Sequence, residues 1–106
     1  MKVSKAFETF SKEAPEFSGA WMEAVQKLDK VNELDKKTKE LAYLSVLAAV
    51  RLESGLPFHV KMAKLSGATR DEIIGAILVG LPAVGNTVVQ ALPIALEAFD
   101  QEDSKC

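Results

Sequence analysis

The stretch Leu34-Asp35-Lys36-Lys37-Thr38-Lys39-Glu40-Leu41-Ala42-Tyr43-Leu44-Ser45-Val46-Leu47-Ala48-Ala49-Val50 decides the fold class. Asp35 stands where a carboxylate accepts from the free N–H groups of a first helical turn, and Leu34 stands where an apolar side chain can staple onto that turn. From Leu41 to Val50 the residues are apolar nearly all round, which predicts a central helix with neighbours on several sides, running to about Glu53. Ser54-Gly55 reads as its stop, because glycine accepts the left-handed conformation that ends helices.

Helical spacing continues outward in both directions, and no stretch shows the strict alternation of a half-buried strand, so the chain reads as all-α with about six helices. Upstream, Ala6, Phe7, Phe10 and Ala14 mark a short amphipathic helix that ends before Pro15. Pro15 suits the first turn of the next helix, where its missing N–H is no loss. There Phe17, Ala20, Trp21, Ala24, Val25 and Leu28 form one apolar stripe that ends near Lys30 to Asn32. Downstream, Pro57 opens a helix through Phe58, His59, Met62, Ala63 and Leu65 that stops at Gly67. Thr69 with Glu72 forms a capping box for the next, which Gly80, Pro82 and Gly85 punctuate. A last helical stretch spans about Asn86 to Asp100, with Pro93 either kinking it or starting a new turn. The polar tail 101–106 reads as mobile.

The 106 residues suit one domain, small enough that apolar surface can remain for self-association. Thirteen basic and fifteen acidic residues give a net charge of -2, with no cationic excess for phosphates, so nucleic acid is not an expected partner. The N-terminus shows no secretory pattern, and the apolar stretches are broken by Ser45, Gly75, Gly80 and Pro82 short of the ~18 to 20 residues of a membrane span. A cytoplasmic protein without a membrane partner is the expectation. Cys106 is the single cysteine, so no internal disulfide can form, and a redox role for it has no fixed partner. His59 is the single histidine, which leaves only carboxylates for a metal. No metal or other cofactor is expected.

Two runs together carry a family resemblance. Leu34-Asp35-Lys36-Lys37-Thr38-Lys39-Glu40-Leu41 is similar to an L-D-x-K-T-x-E-L helix opening, and His59, Ala63, Gly67-Ala68-Thr69 and Glu72-Ile73 are similar to an H-x-x-x-A-x-x-x-G-A-T-x-x-E-I run. Over residues 34–85 the chain resembles the carboxymuconolactone decarboxylase and alkylhydroperoxidase D-like family. The resemblance implies a small all-helical subunit in a homo-oligomer, often a trimer or hexamer, with its site where the central helix meets the next.

Peroxidase-type members carry C-x-x-C-x-x-x-H and an upstream glutamate. By that resemblance the histidine is His59 and the glutamate Glu40, while the cysteine positions hold Leu52 and Gly55. Peroxide reduction by this route needs one thiolate to attack oxygen and a second thiol to resolve the sulfenic acid. Peroxiredoxin-type antioxidant activity, which the family name would suggest, is therefore disfavoured.

Decarboxylase-type members do without the thiols. The resemblance then implies cofactor-independent acid/base chemistry on a small organic acid or lactone, with His59 and Glu40 as the catalytic pair, since imidazole titrates near neutrality. Arg51 or Lys61 would hold a substrate carboxylate. Ser54 and Gly55 would line the substrate side, with the missing side chain at 55 leaving space one turn before His59. The alternative is a catalytically inactive binding or scaffold subunit of the same fold.

Overall fold

The computed structural model describes residues 3–101, all of whose regular elements are helical; Cys106 and the rest of the tail beyond Gln101 lie outside the described residues. Two compact units divide the chain, Val3–Leu34 and the segment from Asp35 onward. In the first, α1 (Lys5–Glu13) and α2 (Pro15–Val31) pack against each other. Ser4 caps α1, its hydroxyl accepting from the Phe7 N–H at 3.1 Å. Ala14 serves as both the end of α1 and the start of α2, and Pro15 occupies the first turn that needs no N–H. On α2, the stripe residues Phe17, Trp21 and Leu28 are exposed, as is Val31 in the last turn.

The second unit comprises α3 (Lys36–Ala49), a 3₁₀ turn at Glu53–Gly55, α4 (Leu56–Leu65), α5 (Arg70–Leu78), α6 (Leu81–Val84), a 3₁₀ run at Gly85–Ala91 and α7 (Leu92–Asp100). Helix α3 packs on α4 and α5, and α7 closes on α4 and α5. Leu44, Leu56, Val60, Ile73, Ile77 and Val88 are the largest fully buried side chains of the shared core. Each contributes roughly 1.5–3 kcal/mol relative to exposure. The Ser45 hydroxyl donates to the Ala76 carbonyl at 2.7 Å, which satisfies a polar group between α3 and α5.

Three sequence expectations change. First, α3 is not surrounded: Leu44, Leu47 and Ala48 are buried, while Tyr43, Val46 and Val50 face outward. Second, α3 ends at Ala49, four residues early, and the left-handed position belongs to Arg51 at φ 64° rather than to Gly55, which is right-handed at φ -86°. The Leu52 N–H donates to the Leu47 carbonyl at 3.0 Å, closing the helix end in the Schellman manner with a non-glycine residue. Third, the final helix is divided. Residues 70–100 are in sum long and apolar enough to cross a membrane. They are, however, separated into short segments by Gly80 and by Gly85 at φ 70°, and Ile73, Ile77, Val88, Ala91, Ala95 and Ala98 from this stretch supply the core. Pro93 sits in the first turn of α7, so it starts a turn and does not kink one.

Charged groups fasten the helix ends. Asp35 accepts from the Thr38 N–H at 2.8 Å, and Thr69 and Glu72 form the reciprocal capping box of α5. Glu72 also pairs with Lys37 at 3.1 Å, tying α5 to the first turn of α3. At the other end, Lys61 and Lys64 donate to the Gln101 and Phe99 carbonyls, and Arg70 grips Asp100 through two bonds of 2.9 and 3.0 Å. Cations at a helix C-terminus oppose its negative dipole end.

Two predictions follow from these ends. A left-handed Arg51 is tolerable but a β-branched residue there is not. Arg51→Val should lower stability by about 1–2 kcal/mol, whereas Arg51→Gly should keep or raise the melting temperature; equilibrium urea unfolding of both variants measures the contrast. For pH, the Thr38 N–H holds Asp35, the Thr69 N–H and Lys37 hold Glu72, and the Arg70 guanidinium holds Asp100 below the ordinary carboxylate range. Depressed carboxylates stabilise the fold above their unfolded pKa of about 4 and lose that contribution as pH falls through the folded value. Melting temperature should therefore hold between pH 7 and 5 and drop below about pH 4, with Asp100→Asn flattening part of the drop.

Candidate functional site

Helices α3 and α4 meet at a sharp corner because only the six residues from Val50 to Gly55 join them. The turn is tight: Arg51 is left-handed, and the Gly55 N–H donates to the Leu52 carbonyl at 3.1 Å. Leu56 and Val60 on α4 are fully buried, one turn apart, which points their stripe into the core. His59 precedes Val60 and lies at the edge of that stripe, facing α3.

Across the corner, Glu40 on α3 meets it. The His59 Nδ1 lies 3.2 Å from the Glu40 Oε1, and the two side chains retain 27% and 17% of their exposure, so the pair is sheltered but open on one side. A carboxylate has no hydrogen to give, so in the neutral ring Nδ1–H donates to Glu40 and Nε2 carries the free lone pair. Lys36, one turn before Glu40, does not need to be its partner. The imidazole is also framed by rings. Tyr43, one turn along α3 from Glu40, lies with its ring centroid 4.4 Å from that of His59 at 48°, and Phe58 meets it edge-on at 5.1 Å.

The other candidates lie elsewhere. Arg51 is turned to Glu53, its Nε donating to the carboxylate at 2.6 Å. Lys61 is two positions beyond His59, on the far side of α4, where it is buried and caps the end of α7. Ser54 is exposed on the 3₁₀ turn. Gly55 does not open space beside His59: a Cβ there would meet the Leu47 methyls at 3.5 and 3.6 Å, in the core. Leu52 is exposed at the corner. Among the described residues no group of three or more His, Cys, Asp or Glu side chains is arranged to hold a metal ion.

Tyr43 and Phe58 were missed by sequence reasoning. Phe58 could have been found as the neighbour of His59. Tyr43 could have been found from its spacing of three from Glu40, once α3 and α4 were paired through Glu40 and His59.

The arrangement is a carboxylate-oriented imidazole with aromatic walls. Such a group accepts a proton at Nε2 and returns it, and the carboxylate stabilises the imidazolium between the two steps.

Known proteins carry the same combination of helices. The sequence profile of the carboxymuconolactone decarboxylase family matches residues 15–97. Among solved structures, the apo form of a carboxymuconolactone decarboxylase family protein from Legionella pneumophila is similar, with 29% sequence identity and a TM-score of 0.76 over 90% of this chain and 85% of that one. A comparison with curated proteins finds no match. Sequence and structure agree over most of the chain's length, and the chain belongs to the carboxymuconolactone decarboxylase family.

Proposed function

We propose that this protein is a thiol-independent member of its family that performs acid/base chemistry on a small organic acid or lactone at His59. The observation that carries the reading is the 3.2 Å contact between the His59 Nδ1 and Glu40. It orients a proton-carrying group and leaves Nε2 uncommitted to Glu40. The positions where thiols would stand hold Leu52 and Gly55.

In a decarboxylation of this class, the bond to the substrate carboxylate breaks and carbon dioxide leaves. The electron pair stays on the carbon conjugated with the lactone carbonyl. The imidazolium Nε2–H delivers a proton to that carbon, and water restores it. The Tyr43 and Phe58 rings supply apolar surface beside the imidazole, suited to the carbon skeleton of such a substrate. No electrons are transferred in this sequence, so none need come from the protein.

Screening unsaturated lactones and muconate-type acids tests the reading. His59→Gln should lower kcat on any substrate found by about 10²–10⁴-fold, with Glu40→Gln falling between it and the native rate. Full activity in His59→Gln would overturn the assignment. Ligand-induced thermal stabilisation without turnover would favour a binding subunit instead. Dithiol-coupled peroxide consumption that survives Cys106→Ser would overturn the thiol argument.

Self-association with further copies of the chain belongs to the same proposal. Val46, Val50 and Leu52 are each more than half exposed at the α3–α4 corner beside the site, an apolar surface of the kind that subunit contacts cover. Sedimentation should give a multiple of the chain mass for the native protein and a smaller species for Val46→Glu with Val50→Glu. A monomeric native protein would remove this part of the proposal.

A further inference from the structure

Glu40 fixes one atom of His59, and a single hydrogen bond leaves the ring free to turn about it. The neighbouring rings remove that freedom. Tyr43 lies three residues after Glu40 on α3, so both side chains leave the same face of the helix. Its ring lies against one side of the imidazole at 4.4 Å, while Phe58 meets it edge-on at 5.1 Å.

Core packing does not account for Tyr43. The residue is 48% exposed, and its hydroxyl makes no side-chain hydrogen bond among the described residues. Proton transfer from Nε2 depends on direction as well as on acidity, and small misplacement of the reacting group is costly.

We propose that Tyr43 is a positioning residue for His59: its ring closes one side of the imidazole and, together with Glu40, fixes the direction in which Nε2 points. The inference rests on His59 as the proton-handling group. Its test, however, needs no substrate and so fails or succeeds apart from that reading.

With one histidine in the chain, a ¹⁵N-labelled sample gives a single imidazole spin system. In the full-length native protein, above the pH at which the ring is charged, long-range ¹H–¹⁵N correlations should show the Nδ1–H tautomer dominating. Tyr43→Leu should lose that dominance and move toward the averaged pattern of a free imidazole. Tyr43→Phe, which keeps the ring and removes only the hydroxyl, should restore it.

A merely structural Tyr43 would change the melting temperature and leave the tautomer untouched. An unchanged imidazole spectrum in folded Tyr43→Leu would overturn the proposal, as would a Tyr43→Phe spectrum that matches Tyr43→Leu. Once a substrate is available, Tyr43→Leu should lower kcat by about tenfold or more with little change in KM. Loss of the tautomer in the absence of any turnover would support the positioning role and count against the enzyme reading alone.

Discussion

Burial of Leu44 and Leu47 on α3 against Leu56 and Val60 on α4 is the constraint on which the second unit depends. At roughly 1.5–3 kcal/mol for each large apolar side chain, this seam outweighs every polar contact at the corner. The seam holds the two helices face to face, and the short connection allows little other arrangement. Glu40 and His59 lie beside this seam, so the polar pair is a product of apolar packing. A single hydrogen bond of this kind adds only about 0.5–1.5 kcal/mol to stability, less than the seam, which leaves its composition free to serve chemistry.

The same seam explains why, among the described residues, Arg51 alone of the non-glycines is left-handed. The chain must leave α3 and enter α4 within six positions, and a left-handed residue is the compact way to end the first helix. Arg51 takes that conformation although Gly55 is close by. Gly55 is instead right-handed on the 3₁₀ turn, at ordinary packing distance from the Leu47 methyls. A glycine near a helix end was thus a sound signal of a turn but a poor guide to which residue makes it.

Much of the fold was legible because it follows from local rules. Asp35, Pro15, Thr69 with Glu72, and Gly67 each mark a helix boundary through their own backbone chemistry, and the structure places boundaries at all of them. What was not legible depends on which surfaces meet. Tyr43, Val46 and Val50 read as core by type, yet each is about half exposed, since hydrophobicity alone does not say which face of a helix its neighbours cover. Lys61 read as a ligand for a carboxylate because it lies near His59 in sequence. Two residues along a helix is the far side, where the end of α7 occupies it. Glu40 was singled out only through family resemblance; nothing in the sequence alone brings residues 40 and 59 together.

The 3₁₀ turn at Glu53–Gly55 carries a consequence for how this chain relates to thiol chemistry. The Gly55 N–H donating to the Leu52 carbonyl folds positions 52 and 55 into one turn, within the ~7 Å between Cα atoms that such turns enforce. Disulfides span about 4.4–6.8 Å between Cα atoms. The backbone therefore keeps the spacing of a dithiol although neither residue has sulfur. A Cβ at position 55 would meet the Leu47 methyls at 3.5 and 3.6 Å, an ordinary packing distance, so side chains at 52 and 55 can share this turn without displacing the core.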